Sequence, residues 1–365
     1  MYKPKNIIIS GGGTGGHLYP AIAIGDELQI QRPNIFIHYI GSKFGIEKDV
    51  LPIKNIQHSL LPIRGLQRSF SFGSIGKNIL LPFRIISSIS KIKHLFNEIK
   101  PHLVIGTGGY ASALPLREGI RREIPTLIQE QNSFPGITTR WFANKVNKVC
   151  IAFEESQSII KKQCILTGNP IRHEINTGVR KIGVEEYGFD QNKKTLLLFG
   201  GSQGSLALNQ MMDKMITSLS ISSTQIIWQT GKKFFNNYKH HQSETVRVQP
   251  FINNMANAYA ASDLVISRAG AITCSELTVC GKPSILIPFP GAAGNHQEKN
   301  ATSLANNGAS IIINEDKIII DDLTSLIQNL LENKKQLHHM ANCSKKLGKP
   351  DASAIIVKQA LELLQ

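Results

Sequence analysis

Short runs of Ile, Val and Leu alternate with longer amphipathic stretches along the whole chain. Such runs are typical of buried parallel strands, and the stretches between them have helical spacing. The pattern therefore predicts an α/β fold of parallel sheets with right-handed crossovers. In the first half the predicted strands are 6–10, 35–40, 102–106, 126–129 and 148–152. In the second half they are 195–199, 225–229, 246–250, 264–267, 284–287 and 310–313.

Two glycine-rich turns follow the first predicted strand of each half, GGGTGGH at 11–17 and GGSQGS at 200–205. In each, a strand leads into a helix whose free N–H groups and positive dipole end favour an anion. A single glycine turn can also be a plain strand-to-helix connector. Two of them in equivalent places predict two Rossmann-like domains facing a central cleft, with anionic ligands on both walls.

The length and composition are those of a globular protein of two domains, with 365 residues, 41% hydrophobic and 18% charged. The five cysteines include no CxxC pair, so we expect neither a disulfide framework nor a zinc site, and a reducing cytoplasm. We expect no signal peptide, and no stretch approaches the ~18 apolar residues of a spanning helix. The connector between the halves is expected at 166–172.

The net charge of +15 is concentrated in the first half, with 21 Lys and Arg against 10 Asp and Glu through Ile165, and 20 against 16 thereafter. Residues 64–100 contain seven basic residues, one acidic residue and apolar residues at helical spacing. This pattern is typical of a helix on an anionic membrane, or of a core-facing helix kinked at Pro82 with a solvated basic face. We expect no nucleic-acid partner, since no nucleic-acid-binding module is present. The candidate membrane-facing residues are Ile75, Lys77, Ile79, Phe83 and Arg84.

His17 stands at the predicted start of the first helix. A helix N-terminus favours the neutral imidazole, which suits a general base, although most histidines are surface or capping residues. The turn before it is not a GxGxxG motif with an acidic residue about 20 positions later, which argues against a nicotinamide cofactor.

The second glycine turn also matches G-x-S-x-G, the nucleophile elbow of α/β-hydrolases. In that interpretation Ser202 is the nucleophile, with Asp263 and His296 as partners. It leaves the first glycine turn without a function, and we keep it as an alternative.

A third small-residue turn, SRAGAI, precedes Thr273 and Glu276. These two residues have the spacing of a capping box on a helix that begins near Thr273, which explains both without a ligand. A carboxylate near an anion-binding helix start could also accept both hydroxyls of a ribose. Downstream, Asn295, His296 and Gln297 offer neutral hydrogen-bonding groups for a sugar.

Taken together, the motifs resemble glycosyltransferase family 28 over essentially the whole chain. They are GGGTGGHLYPAIA at 11–23, GTGGYAS at 106–112, EQN at 130–132, GNPIR at 168–172, GGSQGS at 200–205, PFINNMANAYAASDLVISRAGAITCSE at 250–276 and PFPGAAGNHQEKNA at 288–301. The resemblance implies a GT-B fold. Its implied parts are an acceptor and membrane-facing domain at 1–164, a donor-binding domain at 165–346, and a C-terminal helix at 347–365 that crosses back to the first domain.

The resemblance implies an inverting transfer of N-acetylglucosamine from UDP-N-acetylglucosamine to the 4-hydroxyl of the muramoyl sugar of lipid I. The acceptor is undecaprenyl-diphospho-MurNAc-pentapeptide and the product is lipid II, for peptidoglycan. No cofactor and no metal are implied, since helix N-termini and backbone N–H groups can stabilise a leaving diphosphate. The implied location is peripheral, on the cytoplasmic face of the bacterial inner membrane. The alternatives are a UDP-sugar epimerase on the same fold, a nucleotide sensor without turnover, and the serine hydrolase.

The family's motifs also imply roles for individual residues. The implied donor-binding residues are Thr14, Gly15, Gly16, Asn132, Arg172, Ser202, Ile252, Ala271, Ile272, Thr273, Cys274, Ser275, Glu276 and Gln297. The implied acceptor-binding residues are Gly12, Gly13, His17 and Tyr110, with His17 as the candidate base. Ile252 would present its backbone to uracil, and Glu276 would bind the ribose diol. The chain departs from the family at Gln129, where a histidine is usual, and in the loop 290–295.

Overall fold

The computed structural model describes residues 5–64, 81–221 and 224–365. The chain divides into two compact units, Met1–Ile171 with Asp351–Gln365, and Arg172–Pro350. Each unit has one parallel sheet with helices between its strands. The predicted α/β class with two parallel sheets is confirmed.

The first sheet has the strand order β3-β2-β1-β4-β5-β6-β7, and the second β10-β9-β8-β11-β12-β13. The strands of the first sheet are β1 Asn6–Ser10, β2 Phe36–Ser42, β3 His58–Leu61, β4 Leu103–Gly106, β5 Thr126–Glu130, β6 Lys148–Ile151 and β7 Ile165–Leu166. Those of the second are β8 Thr195–Phe199, β9 Gln225–Gln229, β10 Val246–Gln249, β11 Leu264–Ser267, β12 Ser284–Leu286 and β13 Ser310–Ile312.

The helices follow in chain order. They are α1 Gly15–Gln31, α2 Glu47–Ile53, α3 Leu81–Ile99, α4 Gly109–Arg121, α5 Ile137–Phe142, α6 Arg180–Glu186, α7 Leu206–Ile221, α8 Phe235–Tyr238, α9 Met255–Ala261, α10 Ala271–Val279, α11 His296–Asn306, α12 Ile320–Glu332, α13 Lys334–Leu347 and α14 Ala352–Glu362. Short 3₁₀ turns occupy Glu154–Ser158, His173–Asn176, Lys239–His241, Ala293–Asn295 and Glu315–Lys317.

Every predicted strand is present, with ends shifted by at most two residues. The sequence analysis missed β3 and β7. Both are short edge strands, and their sequences lack a run of buried apolar residues. Because β7 pairs with β6, the first unit extends to Ile171, whereas the sequence analysis placed the boundary between 164 and 165.

Each sheet is built outward from its first strand. β1 lies between β2 and β4, and β8 lies between β9 and β11. The chain therefore leaves the central strand toward one side of the sheet and later returns to the other side. Such a switch point opens a crevice at the carboxyl ends of the two adjacent strands, where ligands bind in open α/β sheets.

The last helix, α14, packs within the first unit. Its buried residues Ile356, Val357 and Ala360 join the core cluster that includes Leu18 and Leu28 of α1. Lys148 at the start of β6 also pairs with Glu362 and donates a hydrogen bond of 2.8 Å to Gln359. The end of the chain is thereby part of the first unit's core.

Helix α3 has two different halves. Ile92, Leu95 and Phe96 in its second half are buried in the core, whereas Phe83 and Ile86 near its start are 71% and 66% exposed. Pro82 is its second residue, in a first turn that tolerates proline, so the expected kink is absent from the described helix. Arg84 stacks over the Phe44 ring at 5.0 Å. The candidates Ile75, Lys77 and Ile79 lie outside the described residues.

None of the helices within the described ranges is both long enough and apolar enough to cross a lipid bilayer.

The turn after β8 requires glycine at Gly204 for two reasons. Its φ is +77°, and a Cβ there would lie 2.0 Å from the carbonyl oxygen of Thr230. Gly201 in the same turn has a φ of +85°, but a Cβ there would meet no atom within 4 Å. An alanine at position 201 would therefore meet backbone strain alone, whereas an alanine at position 204 would meet both backbone strain and a steric clash.

We expect Gly204→Ala to destabilise the second unit more than Gly201→Ala. The left-handed backbone costs either variant about 1–2 kcal/mol, and only Gly204→Ala also displaces a carbonyl group. Urea unfolding in a Trp141→Phe background, where the remaining tryptophan is Trp228 in the core of this unit, measures the difference by fluorescence. Equal midpoints for the two variants would contradict the expectation.

Candidate functional site

The loops after β1 and β4 meet at the carboxyl edge of the first sheet. A Cβ at Gly109 would lie 2.1 Å from the carbonyl oxygen of Gly12, so the two backbones are in direct contact. The Thr107 hydroxyl donates to the carbonyl oxygen of His17 at 2.8 Å, which joins the β4 loop to the first turn of α1. This edge is therefore closely packed, and backbone groups make these contacts.

His17 lies half-buried between these loops, in the first turn of α1. Its Nδ1 is 2.8 Å from Oε1 of Gln131 and 3.1 Å from the carbonyl oxygen of Thr107. Within the described part of the chain, Nε2 makes no hydrogen bond. The ring is thus fixed through one nitrogen, and the other is left for a ligand.

A buried carboxylate that the sequence analysis missed supports the glycine turn. Oε1 of Glu47 accepts hydrogen bonds from the N–H groups of Gly13 at 2.8 Å and Ser42 at 3.1 Å. The Gly13 amide is therefore engaged in this structure. Tyr110 packs its ring against Gly13, and its hydroxyl donates to the Ser42 hydroxyl at 3.4 Å. The expected acceptor residues Gly12, Gly13, His17 and Tyr110 are thus brought together.

Glu130 orients Asn132 in the loop after β5. Its Oε1 accepts from the backbone N–H and the side-chain Nδ2 of Asn132 at 3.1 and 3.2 Å. Its Oε2 accepts from the Gly136 N–H at 3.0 Å and the Thr139 hydroxyl at 2.5 Å. Both oxygens of this buried carboxylate are satisfied, so its role is to shape the loop.

In the second unit, a buried arginine supports the turn after β8. Arg268 follows β11 directly, is 8% exposed and pairs with Glu315. Its guanidinium donates to the Ser205 hydroxyl at 2.9 Å and to the carbonyl oxygens of Ile287 and Pro288 at 3.1 and 3.2 Å. The sequence contains Arg268 within a motif, but nothing local to it indicates these partners.

Gln229, at the end of β9, connects two expected donor segments. Its Nε2 donates to the carbonyl oxygen of Gly201 at 2.9 Å, and its Oε1 accepts from the Ile252 N–H at 2.8 Å. Since that N–H is occupied, the Ile252 carbonyl is the backbone group left to face a ligand. It accepts no hydrogen bond from the described residues.

Glu276 is not part of a capping box. Helix α10 begins at Ala271 with Gly270 as N-cap, so Thr273 is too far inside the helix to cap it, and the capping-box interpretation is wrong. The Glu276 carboxylate instead accepts from Arg172 at 3.2 Å and from the Tyr259 hydroxyl at 3.1 Å. Burial raises the pKa of the Glu276 carboxyl, and Arg172 and the Tyr259 hydroxyl lower it.

The structure also locates the other residues that the sequence analysis expected to bind the donor. Ala271, Ile272 and Thr273 form the first turn of α10. Cys274 is buried, and the Ser275 hydroxyl donates to the Ala271 carbonyl at 3.0 Å. Gln297 accepts from the Phe289 N–H at 2.9 Å, and Ser202 is exposed. Thr14, Gly15 and Gly16 belong to the first unit.

The serine-hydrolase triad does not form. Asp263 precedes β11 and accepts from the Thr195 N–H at 2.9 Å, at the amino edge of the second sheet. Arg180 and Lys194 also bind this carboxylate, each at 3.0 Å. Ser202 follows the carboxyl end of β8. The two residues are thus separated by the length of a five-residue strand, about 13 Å at ~3.3 Å per residue.

Two family models match the chain. The N-terminal domain of glycosyltransferase family 28 matches residues 7–151, and the C-terminal domain of the same family matches residues 195–356.

Curated relatives are similar over the full length. A protein of Christiangramia forsetii is 39% identical, covering 100% of this chain and 99% of its own length. A protein of Flavobacterium psychrophilum is 40% identical, with 98% and 97% covered. Both are named UDP-N-acetylglucosamine--N-acetylmuramyl-(pentapeptide) pyrophosphoryl-undecaprenol N-acetylglucosamine transferase.

Solved structures are similar in fold. The crystal structure of MurG from Acinetobacter baumannii has a TM-score of 0.77 and 26% identity, with 98% of this chain and 100% of that chain covered. A UDP-N-acetylglucosamine 2-epimerase has a TM-score of 0.65 at 15% identity, covering 99% of this chain and 96% of that chain, a likeness of fold alone.

Proposed function

The chain belongs to glycosyltransferase family 28, and we propose that it transfers N-acetylglucosamine from UDP-N-acetylglucosamine to the 4-hydroxyl of the muramoyl sugar of lipid I. The observation that supports this most is the identity of 39–40% over the whole chain to relatives whose names state this donor and acceptor. The enzyme is a glycosyltransferase of the GT-B class that uses UDP-N-acetylglucosamine. The epimerase alternative has only a likeness of fold in its favour.

We assign the donor to the second unit. The N-terminus of α10 offers its positive dipole end and the backbone N–H groups of Ile272 and Thr273 to the diphosphate. The Glu276 carboxylate has lone pairs beyond those used by Arg172 and Tyr259, and these can accept the ribose hydroxyls. The Ile252 carbonyl can accept the N3–H of uracil. Gln297 offers an amide to the sugar hydroxyls.

We assign the acceptor to the first unit. The glycine turn and the N-terminus of α1 offer N–H groups to the acceptor diphosphate, with Thr14 and Gly16 exposed. We thereby assign Thr14, Gly16 and Asn132, which the sequence analysis expected to bind the donor, to the acceptor. Tyr110 lies against this turn, and Asn132 is oriented by Glu130. Nε2 of His17 makes no hydrogen bond within the described residues and is our candidate for the base.

The reaction is a single in-line displacement. The acceptor oxygen forms a bond to C1 of N-acetylglucosamine, and its proton passes to Nε2 of His17. The bond from C1 to the diphosphate oxygen breaks, and its electron pair leaves with UDP. The configuration at C1 is inverted. Backbone N–H groups at the helix start stabilise the charge that develops on the leaving diphosphate.

A membrane-bound acceptor requires the enzyme to reach the lipid surface, and we propose a peripheral position on the cytoplasmic face of the inner membrane. The exposed Phe83 and Ile86 at the start of α3 support this, together with the basic surplus of the first half. Apolar side chains among cations are typical of contact with an anionic bilayer.

We expect His17→Ala to lower the rate of lipid I-dependent UDP release by about 10²- to 10⁴-fold, the range for loss of a general base. Donor affinity should be retained, because His17 belongs to the first unit. UDP release with and without a lipid I analogue measures this. His94→Ala, which removes a histidine that is 81% exposed, is the control. Donor conversion that needs no acceptor would refute the transferase and favour an epimerase.

We expect Tyr259→Phe to shift the pH dependence of UDP binding. Ionised Glu276 accepts the ribose hydroxyls, so affinity falls as the pH drops through the pKa of Glu276. The Tyr259 hydroxyl lowers that pKa, and its removal raises it, so affinity is lost at a higher pH than in the wild type. Calorimetric titration with UDP across the acid range measures the shift. Tyr238→Phe, whose ring packs on Trp228, should behave as wild type.

We expect Phe83→Asp to weaken binding to phosphatidylglycerol vesicles by about 10- to 100-fold, since burial of one such side chain contributes roughly 1.5–3 kcal/mol. Sedimentation with vesicles measures the bound fraction. Ile182→Asp is the matched control, because Ile182 is 54% exposed and lies in the second unit. Equal binding by both variants would indicate that the start of α3 does not contact the membrane.

A further inference from the structure

Three buried amide side chains connect His17 to the interior of the first unit. They are Gln131, Gln129 and Asn169, with exposures of 1%, 0% and 2%. Buried amides are costly unless their hydrogen bonds are made, so their orientation is fixed by their partners. The orientation decides which atom faces the histidine ring.

The nitrogen of Gln131 is surrounded by oxygens. Its Nε2 donates to the carbonyl oxygens of Thr107 at 2.8 Å and Gln129 at 3.0 Å, and it also contacts Oε1 of Gln129. The opposite orientation would place an oxygen against these three acceptors. Oε1 of Gln131 is therefore the atom that faces His17.

The other two amides close a ring that secures this orientation. Nε2 of Gln129 donates to Oδ1 of Asn169 at 3.0 Å. Nδ2 of Asn169 donates to the backbone carbonyl of Gln131 at 3.0 Å. The hydrogen bonds to its neighbours thus determine which atom of each amide donates and which accepts. A 180° flip of one amide would leave buried polar atoms without a hydrogen bond.

As a result, Nδ1 of His17 meets only acceptors, Oε1 of Gln131 and the carbonyl of Thr107. A neutral imidazole has one N–H, and this environment places it on Nδ1. The lone pair is then on Nε2, the nitrogen that makes no hydrogen bond with the described residues.

We propose that Gln131, oriented by Gln129 and Asn169, is a positioning residue that fixes His17 as the tautomer with its proton on Nδ1. The catalytic use of this tautomer rests on the proposed role of His17 as base. When Nε2 takes the proton of the acceptor hydroxyl, Nδ1–H remains bonded to Gln131. An amide orients the ring without adding a negative charge beside the diphosphate of the acceptor, as a carboxylate would.

The ionisable groups on the surrounding segments have other partners. Glu47, at the start of α2, accepts from Gly13 and Ser42. The Tyr110 hydroxyl, on α4, donates to the Ser42 hydroxyl, and Glu130, on β5, accepts from the loop that follows it. The His17 ring is thus oriented by neutral groups.

The test is the tautomer itself, read from ¹⁵N chemical shifts of the His17 ring and assigned by comparison with His17→Ala. In the neutral wild-type ring we expect a protonated Nδ1 and an unprotonated Nε2. In Gln131→Met, which keeps the chain length and removes the amide, the Thr107 carbonyl remains as the other acceptor of Nδ1. We therefore expect the tautomer with its proton on Nε2 to become populated as a minor form, so that the two shifts move toward each other. Gln225→Met is the control, since Gln225 is a buried amide of the second unit.

A wild-type ring protonated on Nε2, or shifts unchanged in Gln131→Met, would overturn the inference. If Gln131→Met does not fold, Gln129→Met is the second variant. It removes only the amide that orients Gln131, so the same convergence of shifts should occur to a smaller extent. Unchanged shifts in that variant would overturn the role of Gln129.

Kinetics separate the inference from the proposed function. We expect kcat of Gln131→Met to fall about 10- to 100-fold, as for other partners that orient a histidine, with KM for UDP-N-acetylglucosamine unchanged. A changed tautomer with kcat equal to that of Gln225→Met would support positioning but refute the catalytic use of His17. The activity of His17→Ala then shows whether the base itself was misassigned.

Discussion

In each sheet, the first strand pairs on one side with the next strand along the chain and on its other side with a later strand. This second pairing determines where in the sheet chemistry can occur. β1 pairs with β4, and β8 with β11, in parallel register and with side chains buried on both faces. Backbone groups within such strands are fully used by the ladder, so only the strand ends leave N–H groups and polar side chains free to act. The contacts between His17 and Thr107 and between Ser205 and Arg268 both join the loops of these paired strands.

The two units use this arrangement with different chemistry. At the edge of the first sheet, His17 is oriented by neutral amides and backbone carbonyls. In the second, arginine and glutamate form ion pairs, Arg268 with Glu315 and Arg172 with Glu276. Neutral partners orient the histidine ring without placing a charge beside it, whereas paired charges hold a carboxylate in one position. The division corresponds to the acceptor and donor roles that we propose for the two units.

The sequence analysis predicted the strands and turns that depend on residues close to one another along the chain. It missed the contacts between residues that are far apart along the chain. Strand β1 is a continuous apolar run, and a glycine turn follows it directly, so both were visible locally. Edge strand β7 has two residues and no such pattern. Gln131 is 114 residues from His17, and Glu47 is 34 from Gly13, so no local spacing could reveal either contact. The capping-box error has the same origin, because the true partner of Glu276 is Arg172, 104 residues earlier.

Glu276 also illustrates a conflict between stability and function. Its pKa is raised by burial, so the folded state binds a proton more readily than the unfolded chain does. Its contribution to stability is therefore fully present at low pH and is lost as the pH rises through the raised pKa. The proposed contact with the ribose needs the ionised form, which is the less stable one. Arg172 and the Tyr259 hydroxyl reduce this cost, since both favour the charged carboxylate. Apolar residues in place of the buried Glu276 and Tyr259 would fill the same space but would offer nothing to accept the ribose hydroxyls in the contact that we propose.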